Sequence, residues 1–533
     1  YKHWIRQAAR MRYTDVMLHA YGWAPFTEFT HNDVTKEVEY LQNTAYGRHW
    51  MIEHTPDVRQ LIGGEVFAHE GEGPIFGAEV SKVGHGGITE ENRVAQAKAM
   101  LREVVDYAAH TVGLEFNWAF DIDTHYANPQ NIIETLPESA RFPVGDLWLA
   151  RPDTEAGYAF FRSMIRTTME DYPGITTLTL WSRNSRSNSF GGLTTGMERS
   201  DLPDDWKPLY DNAPPEAQTP YSAGHVYHAQ VAQAVRKALD ELGYPDVKIG
   251  FGSWWRENVD DDMHSDNFTP AHHFMPPELT CYPLDYYMAF GENTSFRQHL
   301  ADIARQRRLV LIQWAHHDDG GHLGRPYHPP VGFADKLDSI DAAGLGVIHW
   351  MTRPLDIFFK NIQNQVWSNT LNQDLKTTTD RMALDFFGES QADIMAEYLY
   401  DWMTTAPRFG RETGPALGGK SSTGPDSSVE NFDARAADCD RRIAILDQVD
   451  TDQLTPRALE AWHYFRGHEE WIKLFHLAQK DGSRERKEQT IRKYVEKASR
   501  DGGPTRGELG ILVQHNLKWL NQKPEEQKAT DAN

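Results

Sequence analysis

Short apolar runs alternate with helix-spaced segments along the first two thirds of the chain. The runs are Tyr13–His19 (YTDVMLH), Val112–Phe120 (VGLEFNWAF), Ile175–Trp181 (ITTLTLW), Val247–Gly252 (VKIGFG), Leu279–Tyr282, and two more between Leu309 and Arg353 (LVLIQW and GVIHW). Helix-like spacing separates most of them, at Glu90–Ala109, Thr154–Asp171, Ala223–Leu242 and Phe296–Arg307. Runs this short, apolar and β-branched suit strands buried on both faces, and their alternation with helices predicts a parallel sheet covered by helices. Each run breaks into polar and aromatic residues at its C-terminal end, which is where an α/β barrel carries its chemistry. A doubly wound open sheet would gather such residues at one switch point instead. The fold expected is therefore α/β, a (β/α)8 TIM-type barrel, with the first strand missing or irregular because the chain opens directly into helix-like sequence.

The barrel is expected over residues 1–363, with a long Gly- and His-rich insertion at about 27–88. From residue 364 to 533 the strands stop, and LKTTTDRMALDFFGESQADIMAEYLYDWM and LTPRALEAWHYFRGHEEWIKLFHLAQ keep helical spacing, so a mostly α-helical C-terminal region is expected. A homodimer through those helices is one use for it.

Strand side chains alternate between the barrel lumen and the helix layer. In LEFNWAFDID, Phe116, Trp118, Phe120 and Ile122 suit the helix layer, which turns Glu115, Asn117, Asp121 and Asp123 inward. In TLTLWSR the inward set is Thr179, Trp181 and Arg183. In LIQWAHHDD, Gln313 inward carries His317 and Asp319 with it, and in VIHWMTR, His349 inward implies Arg353. Acids, imidazoles and guanidiniums on the inward set make a chemical site rather than a packed core.

Composition narrows the partners. The 533 residues carry a net charge of -23, which argues against nucleic acid and anionic membranes, and no apolar run is long enough to span a bilayer. Sixteen Trp and 21 Tyr supply many flat faces with polar edges, which suit sugar rings. Cys281 and Cys439 lie far apart and indicate neither a disulfide nor a metal site.

Glycosidic bond cleavage needs one carboxyl group to protonate the leaving oxygen and a second to attack or to activate water. The candidates are Asp318, Asp319, Asp121, Asp123 and Asp285. Gly320 and Gly321 beside the Asp318–Asp319 pair would let backbone approach a ligand closely. Substrate contacts are expected from His19, Tyr21, Trp23, Asn117, Arg183, Trp254, Arg256, Gln313, His316, His317, Arg325, Tyr327, His349 and Arg353. The arginines would grip a carboxylate or sulfate bidentately. A metal-dependent lyase or hydrolase using the His316–His322 cluster is an alternative, although adjacent strand residues point apart and no metal-ligand spacing is present. No metal and no organic cofactor are expected.

Three stretches carry a family likeness. YKHWIRQAARMRYTDVMLHAYG resembles the second-strand segment of the α-glucuronidase barrels of glycoside hydrolase families sixty-seven and one hundred and fifteen. HTVGLEFNWAFDID resembles their next strand. GVIHWMTRPLDIFFKNIQNQVW, followed by a helical segment with FFG, is similar to their last strand and C-terminal helices. The resemblance implies a (β/α)8 barrel and an exo-acting glycoside hydrolase that cuts a terminal sugar, with a uronic or otherwise acidic sugar among the candidates, from a plant or algal oligosaccharide or polysaccharide. The chain departs from those families at the fourth strand, where they carry an acid and this sequence reads WSRNSR with Arg183. That departure keeps a non-catalytic carbohydrate-binding barrel as a rival. An extracellular or periplasmic location goes with a polysaccharide substrate.

Overall fold

The computed structural model describes residues 2–38, 91–183, 192–219, 222–255, 268–285, 294–314, 333–348, 374–406, 432–481 and 483–500, with single positions between 360 and 367. The chain divides into two compact units. The first holds residues 1–44, 83–313 and 335–347, and the second holds 45–82, 314–334 and 348–533.

The first unit is built on one seven-stranded sheet, and the seven strands fall on the seven apolar runs. They are β1 (Asp15–Ala20), β2 (Glu115–Asp121), β3 (Thr177–Ser182), β4 (Lys248–Trp255), β5 (Thr280–Asp285), β6 (Val310–Trp314) and β7 (Gly344–Ile348). Their order in the sheet is their order in the chain. The pairings from β1 through β6 are parallel. A parallel sheet wound always in one direction has no switch point and curls toward a barrel. The doubly wound alternative is excluded by this order, and the sheet is a half-barrel of TIM type.

Helices fill the crossovers: α1 (Lys2–Arg10) precedes β1, and α2 (Arg93–Asp106), α3 (Glu155–Asp171) and α4 (Gly224–Glu241) lead into β2, β3 and β4. Next come α5 (Phe268–Phe274) before β5, α6 (Thr294–Ala304) before β6 and α7 (Phe333–Ile340) before β7. Thr154 caps α3, its hydroxyl accepting the Gly157 N–H at 3.1 Å. Phe160, Phe161, Ile165 and Met169 then bury one stripe of that helix. The helix layer also takes Phe116 and Trp118, the latter stacked on Tyr172 at 4.8 Å.

The lumen face is layered. At the N-terminal ends of the strands, Lys248 Nζ pairs with both oxygens of Glu115 at 2.8 Å. One layer higher, Thr179 Oγ1 donates to Asn117 Oδ1 at 2.8 Å. Gly250 and Gly252 face the same side of β4 because bulky rings already occupy their side-chain space. A Cβ on Gly250 would stand 2.5 Å from the Tyr282 ring, and one on Gly252 would stand 2.4 Å from the Trp181 ring. Two missing side chains on β4 thus admit two aromatic rings from its neighbours.

The second unit is helical where it is described: α8 (Leu375–Phe387), α9 (Ala392–Thr405), α10 (Phe432–Leu446), α11 (Pro456–Asp481) and α12 (Arg484–Arg500). Asp374 caps α8, and Gly388, at φ 80°, ends it. Met382, Phe387, Tyr398, Trp402, Leu446 and Phe465 share its core. Inside that core Arg442 Nε donates to Glu469 Oε1 at 2.8 Å, with both side chains 1% exposed.

Candidate functional site

Three strands deliver their last residues to one place. His19 comes from β1, Asp121 ends β2 and Arg183 follows β3. His19 Nε2 lies 2.9 Å from Asp121 Oδ1, and Arg183 Nε donates to that same oxygen at 2.7 Å. Arg183 Nη2 stands 3.3 Å from His19 Nε2. The inward parity expected for Asp121, Thr179, Trp181 and Arg183 is what makes this meeting geometrically possible.

The electrostatics assign roles. Burial alone would raise the Asp121 carboxyl, but the Arg183 guanidinium and then His19 outweigh it and hold it below the usual carboxylate range. Asp121 is therefore an ionised acceptor and a poor proton donor. Burial pushes the His19 imidazole below its ordinary value; Asp121 pulls it back, and the Arg183 charge pushes it down again. The outcome is a neutral imidazole.

An aromatic column holds that imidazole in place. Tyr21 stacks on His19 with centroids 4.8 Å apart and planes 13° apart, and Trp23 stacks on Tyr21 at 4.5 Å and 11°. Residues 19, 21 and 23 keep the strand's two-residue period beyond its end, so the three rings fall in register. Trp181 touches His19 at 5.1 Å, and the Arg183 guanidinium lies 5.3 Å from the Tyr21 centroid. The His19 side chain is 23% exposed while Asp121 is 2% exposed, so His19 is the polar group this cluster offers to solvent.

Several expectations need correction. Trp23 is buried and packed edge-on against Tyr126 at 5.1 Å, so it supports Tyr21 rather than offering a face to a sugar. Asn117 lies two layers below Asp121 and is occupied by Thr179, which makes it a lumen-packing residue. Asp123 does not face the lumen. The strand ends at Asp121, alternation lapses, and Asp123 turns toward α4. There it accepts from Arg183 N at 2.8 Å, Ser182 Oγ at 3.1 Å, Thr194 Oγ1 at 2.7 Å and His228 Nε2 at 3.2 Å. Fully enclosed, it anchors the end of β3 and touches no open space.

The ladder pairs Gln313 with Asp285, Asp285 with Trp255 and Trp254 with Leu284 along the strands. Asp318, Asp319, Arg256, His316, His317, His322, Arg325, Tyr327, His349 and Arg353 lie outside the described residues, as does most of the 27–88 insertion.

Some residues went unnoticed in the sequence. His228 and His225 extend the Asp123 network inward, their Nδ1 atoms 3.2 Å apart. Tyr227 OH donates to Asn128 Oδ1 at 3.2 Å, and Asn128 Nδ2 donates to the Ile122 carbonyl at 3.0 Å, which pins the turn after β2. Lys36 is buried with Nζ donating to Thr27 Oγ1 at 3.1 Å. Burial pushes its ammonium down to about 7, against the pull of Asp121 and Glu28. The histidine pair on α4 was the one available signal, since two imidazoles three residues apart share a helix face. Among the described residues no group of three His, Cys, Asp or Glu is placed to hold a metal ion.

No family model and no curated protein matches this chain. Among solved structures it is similar to an O-GlcNAc hydrolase of Thermobaculum terrenum, at 12% identity and a TM-score of 0.39 over 82% of this chain and 85% of that one. It is also similar to a GH138 enzyme targeting pectin rhamnogalacturonan II, at 11% identity and a TM-score of 0.43 over 83% of this chain and 59% of that one. A GH115 4-O-methyl-α-glucuronidase with specificity for decorated arabinogalactans shows 11% identity and a TM-score of 0.47, over 80% of this chain and 51% of that one. This chain thus spans between half and three fifths of the latter two proteins.

Proposed function

We propose that this chain is a glycoside hydrolase that releases a terminal acidic sugar from a plant or algal polysaccharide outside the cell or in the periplasm. The observation that supports it best is the convergence of His19, Asp121 and Arg183 from three strands at the C-terminal end of a half-barrel. Barrel enzymes assemble their sites from separate strand ends in this way. The solved neighbours named above act on glycans, and the sequence resembles α-glucuronidases.

The proton donor in this reading is not Asp121, because its ion pair with Arg183 keeps it charged. Asp318 or Asp319, on the segment after β6, takes that role, and the other carboxyl group attacks or activates water. Incubating the protein with uronic-acid-bearing oligosaccharides and following the released monosaccharide tests the proposal. Hydrolysis that falls at least about 100-fold in Asp318→Asn or Asp319→Asn supports it. Full turnover in both variants overturns the assignment of the acid.

One observation favours a second reading. The carboxylate at the end of β2 is already consumed by an arginine and a histidine, as in a sugar-binding barrel without catalysis. Tight glycan binding by calorimetry with no released product would establish that reading.

A further inference from the structure

Asp121 and His19 do more than share a hydrogen bond; their geometry decides which nitrogen of the imidazole carries the proton. We infer that Asp121 is a positioning residue that fixes His19 in the Nε2–H form, leaving Nδ1 as a standing acceptor for a hydroxyl of the ligand. The inference deepens the proposed function and rests on it only in naming that hydroxyl as part of a sugar.

Both close neighbours of Nε2 bear on the choice. Asp121 Oδ1 stands at 2.9 Å and Arg183 Nη2 at 3.3 Å. A carboxylate can only accept and a guanidinium can only donate, so Nε2 satisfies one of them. The shorter contact is to the carboxylate, whose charge is fixed by the 2.7 Å bond from Arg183 Nε. Nε2 therefore carries a hydrogen, and the guanidinium beside it opposes a second proton on the ring. Tyr21 on the ring face and Trp181 at its flank are uncharged, so Asp121 and Arg183 are the charged groups that face His19 among the described residues, with Lys36 acting through Asp121.

Nδ1 is the atom left over. It has no hydrogen-bond partner among the described residues and does not number among the buried unpartnered atoms, and the ring is 23% exposed. A clamped neutral imidazole with one lone pair outward accepts from an O–H and gains nothing from a carboxylate, which offers lone pairs alone. The ligand group at this point is then a hydroxyl, and an acidic substituent must be held elsewhere in the site.

Neutron diffraction from deuterium-exchanged crystals of the full chain locates the proton directly. At neutral pH a deuteron on Nε2 and none on Nδ1 is expected. Asp121→Asn should move it to Nδ1, because the carboxamide can present a donor. A deuteron on Nδ1, or on both nitrogens, in the wild type overturns the inference. If Asp121→Asn does not fold, wild-type crystals about two pH units lower decide the matter. His19 should remain singly deuterated there, and a doubly deuterated His19 overturns the inference. Calorimetry with methyl β-D-glucuronide and D-xylose provides the sugar arm. His19→Phe should weaken binding roughly tenfold, and unchanged affinity overturns the hydroxyl contact. Absence of binding by either sugar, with the deuteron on Nε2, would overturn the sugar hydroxyl and count against the carbohydrate reading while leaving Asp121 its positioning role.

Discussion

Asp123 accepts the backbone N–H of Arg183 at 2.8 Å, and this bond sets where the β3 strand hands its guanidinium to the site. Its other oxygen gathers Ser182, Thr194 and His228 in a fully buried pocket. A carboxylate with four donors, two at the end of β3, one on the segment after it and one on a helix, is a structural pin, and the pin lies directly behind the Asp121–Arg183 pair.

Asp123→Ala should therefore cost stability before it costs chemistry. It strands several buried donors, each worth about 1–3 kcal/mol when left unmade, for a total loss of roughly 3 kcal/mol or more. Asp123→Asn keeps one acceptor oxygen and should lose less. Urea denaturation monitored by circular dichroism measures both, and an alanine variant as stable as the wild type would contradict the role.

Gly252→Ala addresses the lumen layering. The added methyl would stand 2.4 Å from the Trp181 ring, which is itself buried against His19. Relief requires the ring or the backbone to move, so a loss of about 1–3 kcal/mol is expected, with a shift in tryptophan fluorescence. An unperturbed melting temperature and spectrum would show that the ring has room.

Much of this fold was legible because both of its periodicities were strong. All seven runs became strands, and the parity of LEFNWAFD and TLTLWSR delivered Asp121, Trp181 and Arg183 to the same side. Tyr21 and Trp23 also followed the strand's period. Parity failed at Asp123, where the strand had already ended. Lys36 and His228 were hidden for a different reason: burial of a polar group depends on packing partners far away in sequence.

Acid should destabilise the first unit through its buried histidines. Burial, reinforced by His228, holds His225 well below 6.5, and burial with His273 and Arg307 takes His272 down to about 3. The unfolded chain binds protons at these sites near 6.5 and the folded chain does not, so stability is full above 6.5 and falls as pH drops below it. The slope is up to about 1.4 kcal/mol per pH unit for each histidine. Urea midpoints at about pH 7 and about pH 5 should differ in that direction. His272→Phe should flatten the slope, and a midpoint independent of pH would contradict the account.

The helical unit has its own sensitive pair. Glu469→Ala leaves the buried Arg442 with the longer, 3.9 Å contact to the Asp401 carboxylate and should cost about 3–5 kcal/mol, whereas Arg442→Met with Glu469→Leu should recover most of that loss. Tyr398 OH also donates to Glu469, at 3.3 Å, so the double replacement strands one hydroxyl. Equal stability of the single and double variants would show that the charge itself is of little consequence.

A crystal soaked with a uronic-acid-bearing oligosaccharide tests the central claim most directly. A terminal sugar is expected at the ends of β1, β2 and β3, with a ring hydroxyl within hydrogen-bond distance of His19 Nδ1. A sugar bound elsewhere, with His19 facing open solvent, would contradict it.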